Sequence, residues 1–259
     1  MCLIAFAWNV HPRWRLLLAG NRDEFHARPS AALARWDDAS IVGGRDLEAG
    51  GTWLGVADGG RCCVVTNVRD PRDPQLGTSR GLLATDYLGG AADAATHARQ
   101  LLRTAADYRP FNLLTFDAGA AFYLGNRPES RAQAVSPGVH GLSNADFDTP
   151  WPKTRALMQR LQQWIEAGGE TDFAPLFEAL ADERQAPEAQ LPDTGVGLER
   201  ERLLSPAFIR GEQYGTRAST VVAIDHDGRG VIAERRFGPN GRYYGQTLLR
   251  FGERLPATG

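Results

Sequence analysis

A cysteine at position 2 is the residue of this chain best placed for covalent chemistry. Cys2 opens directly into an apolar run, Leu3 to Trp8. Initiator methionine is commonly removed when the next residue is small, so the mature chain could begin with a thiol and a free α-amine on one residue. The thiol can attack an acyl carbonyl, and the amine, with an ordinary pKa of about 7.7–8.0, can carry the proton. The alternative is a structural cysteine that opens a hydrophobic strand.

A run of four polar residues follows the next apolar segment: Asn21, Arg22, Asp23 and Glu24. The two apolar segments predict a hairpin, which returns this polar run to Cys2. An arginine near a thiol lowers its pKa, and a carboxylate near an α-amine orients it. Because strand side chains alternate, we expect Asn21 and Asp23 on one face and Arg22 and Glu24 on the other, unless a bulge intervenes. The alternative is a solvated turn.

Three further side chains lie at predicted strand ends. Asn67 closes a predicted hairpin, 52–67, and its amide could donate a hydrogen bond to an oxyanion. Asn144 offers the same chemistry, and Arg217 could bind a carboxylate or phosphate. Each residue also has a structural interpretation, because asparagine is a common turn residue and a strand arginine can face solvent.

The spacing of cysteines and histidines predicts no metal site. Cys62 and Cys63 are adjacent, the C-x-x-C pattern is absent, and no two histidines have i,i+4 spacing. A single histidine or cysteine could still be an axial ligand of haem. We therefore expect no required cofactor, with haem as a possible ligand.

Composition is that of an ordinary globular protein. The 259 residues are 42% hydrophobic and 23% charged, with a formal net charge of −2. This balance argues against nucleic-acid binding. No apolar stretch approaches the roughly 18 residues needed for a membrane span, and three cysteines with two adjacent do not form a disulfide framework. We expect a cytoplasmic protein with a small-molecule or amphipathic ligand; the sequence leaves the oligomeric state open.

The order of predicted elements is strands, helices, strands, helices, strands. Amphipathic patterns predict helices over 93–105, 153–165 and 172–180, and a closing series of strands begins at residue 218. This order favours an α+β fold, antiparallel sheets covered by segregated helices. The segment Glu183 to Gly197, rich in proline and glycine, is a candidate linker or mobile loop. We predict one domain over residues 1–259.

The chain resembles the NRDE-motif family, the transport and Golgi organisation proteins. The resemblance rests on blocks that run from the first residue into the C-terminal third: Met1-Cys2, Asn21-Arg22-Asp23-Glu24, Gly50-Gly51-Thr52-Trp53-Leu54-Gly55, Thr66-Asn67-Val68-Arg69-Asp70, Ser79-Arg80-Gly81, Gly141-Leu142-Ser143-Asn144, Asp148-Thr149-Pro150-Trp151-Pro152-Lys153 and Ser219-Thr220-Val221. It implies a fold similar to N-terminal-nucleophile hydrolases, a four-layer αββα sandwich with two antiparallel sheets.

Superfamily resemblance to bile-salt hydrolases and penicillin acylases implies functional roles for the polar residues. The implied catalytic residues are Cys2 as nucleophile, Arg22 and Asp23 tuning the thiol and anchoring the amine, and Asn67 as oxyanion donor. The implied substrate-binding residues are Asn21, Asn144 and Arg217. Those hydrolases separate the arginine and aspartate by two residues, whereas here they are adjacent, so strand alternation predicts them on opposite faces.

Two functional hypotheses from different classes follow. In the first, Cys2 cleaves a linear amide through a thioester. In the second, suggested by the family's association with haem mobilisation and lipid homeostasis, the same cleft binds haem or an acyl lipid and passes it on without chemistry. Fold similarity alone does not establish either activity.

Overall fold

The computed structural model describes residues 2–71 and 78–252, which form thirteen strands and five α-helices. The strands are β1 Cys2–Trp8, β2 Trp14–Phe25, β3 Ser30–Arg35, β4 Ile41–Asp46, β5 Leu54–Ala57, β6 Arg61–Asn67, β7 Phe111–Phe116, β8 Ala121–Gly125, β9 Arg131–Ala134, β10 Gly138–Leu142, β11 Tyr214–Asp225, β12 Gly230–Phe237 and β13 Tyr243–Phe251. The helices are α1 Gly81–Gly89, α2 Ala94–Leu101, α3 Pro152–Glu166, α4 Ala174–Leu180 and α5 Leu198–Leu203.

The strands form two antiparallel sheets. The first sheet has six strands in the order β10-β1-β2-β11-β12-β13, and the second has seven in the order β3-β4-β5-β6-β7-β8-β9. One apolar cluster fills the space between the sheets. A second packs α3 and α4 against the first sheet, and a third packs α1 and α2 against the second sheet. The four-layer αββα sandwich predicted from the sequence is confirmed.

Strand β1 shows why the first residues are so apolar. All seven of its residues are buried, because one face meets the opposite sheet and the other meets helix α3. Ile4 and Phe6 pack between the sheets, whereas Leu3 and Ala5 pack under the helices. A strand covered on both sides needs an apolar residue at nearly every position.

The predicted hairpin is longer than its apolar residues indicate. Strand β2 continues through the polar run to Phe25, so Asn21 to Glu24 are strand residues and not a turn after the strand. The continuation is stabilised by β11, which pairs with β2 from Tyr214 opposite Phe25 onwards. A polar run remains a strand when a neighbour satisfies its backbone groups.

The three helices predicted from the sequence are present in the structure. The predicted helices correspond to α2, α3 and α4, with differences of a few residues at the ends. Strands β3, β4, β9 and β10 and helices α1 and α5 lack a clear periodic signal in the sequence. The segment Glu183–Gly197 contains no strand or α-helix, and the proline-rich loop predicted over 69–77 lies partly outside the described residues.

No helix in the described ranges is both long enough and apolar enough to cross a membrane.

Candidate functional site

Cys2 and Arg22 lie directly opposite each other in the β1–β2 ladder. Opposed residues of an antiparallel pair project to the same face of the sheet. Ile4 and Leu18, further along the same two strands, point into the apolar space between the sheets, so Cys2 and Arg22 also face the second sheet. The hairpin therefore brings the predicted nucleophile and the predicted arginine together.

A cleft of about 390 Å³ opens at this end of the inter-sheet space. Cys2 and Arg22 line it from the first sheet, and Thr66 and Asn67 line it from β6 of the second. Trp53 supplies an apolar wall. The Trp53 ring packs against Gly20, where a Cβ atom would lie 3.4 Å from its Cη2 atom. The cleft thus combines a thiol, an amide and an aromatic surface.

The backbone of Cys2 is held by the residue that directly follows strand β10. The Ser143 hydroxyl lies 2.9 Å from the Cys2 carbonyl oxygen, to which it can donate a hydrogen bond. Thr66 in turn donates to the Ser143 carbonyl at 2.8 Å. These contacts fix the first described residue to both sheets. Met1, whose removal the hydrolase hypothesis requires, lies outside the described residues.

Burial raises the pKa of the Cys2 thiol above its ordinary value. Nearby Asp23 and Glu24 also raise it, while Arg22 lowers it. The expectation that an adjacent arginine lowers this pKa is correct in sign for Arg22, but desolvation outweighs it. At neutral pH the resting thiol is protonated, so a nucleophilic role needs a base when substrate binds.

Asn67 is oriented by Asn144. The Asn144 side-chain amide donates to the Asn67 side-chain oxygen at 3.0 Å and to the Asn67 backbone carbonyl at 3.0 Å. Within residues 2–71 and 78–252, the Asn67 Nδ2 group makes one hydrogen bond, a long one of 3.4 Å to the Val68 carbonyl. Asn67 thus has a donor available in the cleft, whereas Asn144 is buried and does not line the cleft.

Arg22 has ionic neighbours but no close partner among the described residues. Its Nη2 atom lies 3.6 Å from a Glu24 carboxylate oxygen and 3.9 Å from an Asp46 carboxylate oxygen. Both distances exceed those of charge-assisted hydrogen bonds. Asp46 instead binds Arg28 at 2.8 Å. The Arg22 guanidinium is therefore held near the thiol with hydrogen-bonding capacity to spare.

Asn21 and Asp23 project to the other face, as alternation predicts. The Asn21 amide donates to the carbonyls of Leu180 and Ala207, both at 2.8 Å, and its oxygen accepts from Ser219 at 2.6 Å. Asn21 therefore connects the sheet to the last residue of α4 and to Ala207, and the structure does not bring it to the cleft.

Asp23 is buried and accepts a hydrogen bond from the Thr216 hydroxyl at 2.7 Å. Asp23 is nevertheless among the residues that line the cleft, and its negative charge raises the pKa of Cys2. The adjacent Arg22 and Asp23 thus diverge, and only Arg22 shares a face with the thiol. This is the structural consequence of having no residues between them.

Arg217 occupies a bulge. Thr216 pairs with Asp23 and Ala218 pairs with Arg22, so Arg217 is an extra residue in β11. Its guanidinium donates to the carbonyls of Phe25 at 2.8 Å and Arg28 at 3.0 Å, and the residue lines the cleft. A bulge changes the direction in which a side chain projects, and the alternation of residues along a strand does not predict where a bulge occurs.

Sequence reasoning did not identify a buried charged cluster behind this end of β1. Arg69 and Glu201 form an ion pair with side chains only 5% and 3% exposed, and the Arg69 guanidinium lies over the Trp151 ring. Glu201 also accepts from the Thr194 backbone amide at 2.9 Å. In the sequence, one weak indication of this cluster is that Arg69 and Trp151 lie in the motifs that carry the family resemblance.

Lys153 belongs to the same cluster. It is buried at the start of α3, and its ammonium group donates to the Leu204 carbonyl at 2.8 Å. Burial lowers the pKa of Lys153 to about 8, while the negative charge of Asp23 opposes the shift. Helical periodicity assigns charged residues to the exposed face, so it does not predict a buried lysine on an amphipathic helix.

Two more residues that sequence reasoning missed line the cleft from β12, on the same sheet as Cys2. They are Glu234 and Arg236. Glu234 is 4% exposed, and one of its oxygens accepts from the Leu33 amide at 2.9 Å. Burial raises its pKa. The Nε atom of Arg236 is buried without a hydrogen-bond partner in the part of the chain described here.

The two-sheet sandwich with a thiol at the start of its first strand places the chain in the N-terminal-nucleophile-hydrolase-like class of folds. Its solved neighbours include a Caenorhabditis elegans orthologue of N-acylethanolamine-hydrolyzing acid amidase, with a TM-score of 0.50 and 11% identity over 87% of this chain and 93% of that one. A variant of conjugated bile acid hydrolase from Clostridium perfringens has a TM-score of 0.53 and 7% identity, over 99% and 100%. At these identities the likeness concerns the fold alone.

The chain belongs to the Transport and Golgi organisation 2 family, whose profile matches residues 1–239. The homologues from Bos taurus and Homo sapiens are each 33% identical to it, over 91% of this chain and 92% of theirs. The Drosophila melanogaster Transport and Golgi organization protein 2 is 27% identical over 88% and 89%. The family resemblance inferred from the sequence blocks is confirmed.

Proposed function

We propose that this protein hydrolyses a linear amide of a small acyl group, with Cys2 as its N-terminal nucleophile. The observation that carries the proposal is the convergence of Cys2, Arg22 and Asn67 on one cleft. A thiol, a cation beside it and an amide donor are the groups that acyl transfer requires. Two solved neighbours whose names describe hydrolases of acyl conjugates share the fold, which supports the proposal by analogy.

In the proposed reaction, removal of Met1 leaves an α-amine on Cys2. The amine takes the thiol proton as Sγ attacks the acyl carbonyl, and Asn67 Nδ2 donates to the resulting oxyanion. The proton passes to the leaving amine as the C–N bond breaks, leaving a thioester on Cys2. Water, deprotonated by the same amine, then cleaves the thioester and releases the acid, so one amide and one water give one acid and one amine.

Because the pKa of the Cys2 thiol is raised, the proposed reaction needs a base that removes the thiol proton. Burial keeps the sulfur protonated, so little thiolate exists before substrate arrives. An α-amine with an ordinary pKa near 8 can accept that proton when the substrate displaces water. Arg22, on the same face, favours the anion that forms.

The test compares the native protein with Cys2→Ser and Cys2→Ala. All three have a small second residue, so removal of Met1 is expected to be equal. Incubation with activated acyl esters should place one acyl group on Cys2 of the native protein. It should place none on residue 2 of either variant and none on the core cysteines of any of the three proteins. Cys62 and Cys63 are fully buried and serve as internal controls. Absence of any Cys2 adduct in folded native protein would exclude the proposal.

One observation favours a second candidate, a cleft that binds haem or an acyl lipid without chemistry. The same burial that protonates Cys2 leaves the resting site without a nucleophile. In this alternative Met1 is retained, and Cys2→Ser weakens ligand binding but no turnover exists to lose. Haem titration of the native protein tests it: no Soret shift and no thermal stabilisation would exclude haem.

A further inference from the structure

The charge of the cleft is uneven. Seven arginines and five acidic residues line it. Arg28 is neutralised by Asp46 at 2.8 Å and Glu48 at 2.9 Å. Of the other six arginines, Arg22, Arg217 and Arg236 lie on the sheet that carries Cys2, whereas Arg45, Arg80 and Arg109 lie outside it.

The register of that sheet aligns four cleft residues in one row. Cys2 of β1 pairs with Arg22 of β2, Arg22 with Ala218 of β11, and Ala218 with Arg236 of β12. Residues paired across an antiparallel sheet share a face, and all four line the cleft. From β1 to β12, the side chains of this row therefore end in a thiol, a guanidinium, a methyl group and a second guanidinium.

The small side chain of Ala218 leaves a gap between two arginines. Among the described residues, Arg22 has only long ionic contacts, at 3.6 and 3.9 Å, and Arg236 forms no ion pair within 4.0 Å. The buried Nε atom of Arg236 also lacks a hydrogen-bond partner there. An oxyanion above Ala218 would satisfy donors on both sides, because guanidinium groups bind carboxylates through paired N–H donors.

Local charge favours a single negative charge over two. Glu24 and Glu234 lie on the same face as the row, one on β2 and one on β12. A dianion such as a phosphate ester would add a second negative charge beside these carboxyls. A carboxylate adds one negative charge instead of two.

We propose that the substrate is the monoamide of a dicarboxylic acid, with its free carboxylate between Arg22 and Arg236 above Ala218. This inference rests on the proposed amide hydrolysis and names its substrate class. Two strand spacings separate Cys2 from Ala218, about 10 Å. An extended chain covers that distance in about eight bonds, so the scissile carbonyl and the carboxylate are separated by about seven methylene groups.

The test uses 4-nitrophenyl esters whose acyl chain of about seven methylenes ends in a carboxylate or in its methyl ester. Nitrophenol release and the mass of the Cys2 adduct give the acylation rate for each ester. We expect the carboxylate probe to acylate native Cys2 at least about tenfold faster than the methyl ester, as for a hydrogen bond to a charged group. A chain with about two methylenes should lose this preference.

The variant Arg236→Gln should abolish the preference for the carboxylate probe, and circular dichroism with thermal unfolding checks that the variant folds. Arg235→Gln is the matched control, since Arg235 projects from the same strand to the opposite face, over the Phe177 ring at 4.2 Å. It should retain the preference.

Each other outcome is decisive. Equal rates for the two probes, or a preference that survives Arg236→Gln, would overturn the substrate assignment while the hydrolase proposal stands. No acylation of Cys2 by either probe would overturn the hydrolase proposal and the substrate assignment together.

Discussion

Cys2 faces Arg22 directly across the β1–β2 ladder, whereas the next residue, Asp23, projects to the opposite side of the sheet. The polar run therefore alternates between the two faces of the sheet. Arg22 and Glu24 lie on the face of the thiol, whereas Asn21 and Asp23 accept hydrogen bonds from Ser219 and Thr216 of β11. Asp23 also raises the pKa of Cys2.

Substitution of Arg22 and Glu24 should shift the reactivity of the thiol in opposite directions. Arg22 lowers the pKa of Cys2 and Glu24 raises it. Arg22→Gln should therefore move the pH profile of iodoacetamide labelling at Cys2 to higher pH, and Glu24→Gln should move it lower. Peptide mass spectrometry follows Cys2 alone, with buried Cys62 unlabelled. Shifts in the same direction would show that charge does not govern this thiol.

Loss of the oxyanion donor should affect the chemical step. If the proposed reaction occurs, Asn67→Ala should lower kcat about 10²–10³-fold with little change in KM. Asn144→Ala should lower kcat less, because Asn144 acts by positioning Asn67 through two 3.0 Å hydrogen bonds. Steady-state kinetics with the best acyl substrate measures both. A larger KM effect than kcat effect for Asn67→Ala would instead indicate ground-state binding.

Lys153 should make stability depend on pH. Its folded pKa, about 8, lies below the ordinary lysine value of about 10.4. Between these values the unfolded chain binds the extra proton, so this group's contribution to stability is complete above about pH 10.4 and is lost as the pH falls through 8. The urea midpoint of the native protein relative to Lys153→Met should rise across this window. A constant difference would place Lys153 in a solvated environment.

The buried pair of Arg69 and Glu201 should be costly to break. Arg69→Met or Glu201→Gln leaves a buried partner without its counter-charge, which typically costs about 3–5 kcal/mol. Urea unfolding measures this loss.

An exposed pair in the same region is the matched control for that measurement. Arg202 and Glu188 have side chains 43% and 60% exposed. Glu188→Gln should cost less than about 1 kcal/mol. Similar losses at Glu188 and Glu201 would contradict the buried character of the Arg69 pair.

The part of the candidate site's geometry that could be predicted from the sequence is local. Cys2 and Arg22 are joined by a hairpin of adjacent strands, and alternation along β2 assigned the faces of Arg22 and Asp23 correctly. Asn67 could be located because it ends a strand beside a predictable turn. These inferences need only neighbouring segments of the chain and the period of a strand.

The remainder depends on contacts between distant segments. Ser143 reaches the Cys2 carbonyl across 141 positions, and Arg69 reaches Glu201 across 132. The bulge at Arg217 and the row that ends at Arg236 arise from strand register, which periodicity does not specify. Asn21, chosen from the polar run, lies away from the cleft because it alternates with Arg22, which shares the face of Cys2.

The N-terminal peptide of the purified native protein, analysed by mass spectrometry after incubation with an activated acyl ester, tests the central proposal most directly. The proposed hydrolase predicts a peptide that begins at Cys2, without Met1, and carries one acyl group. A peptide that retains Met1 and carries no acyl group would contradict it, because the base and the covalent intermediate would both be missing.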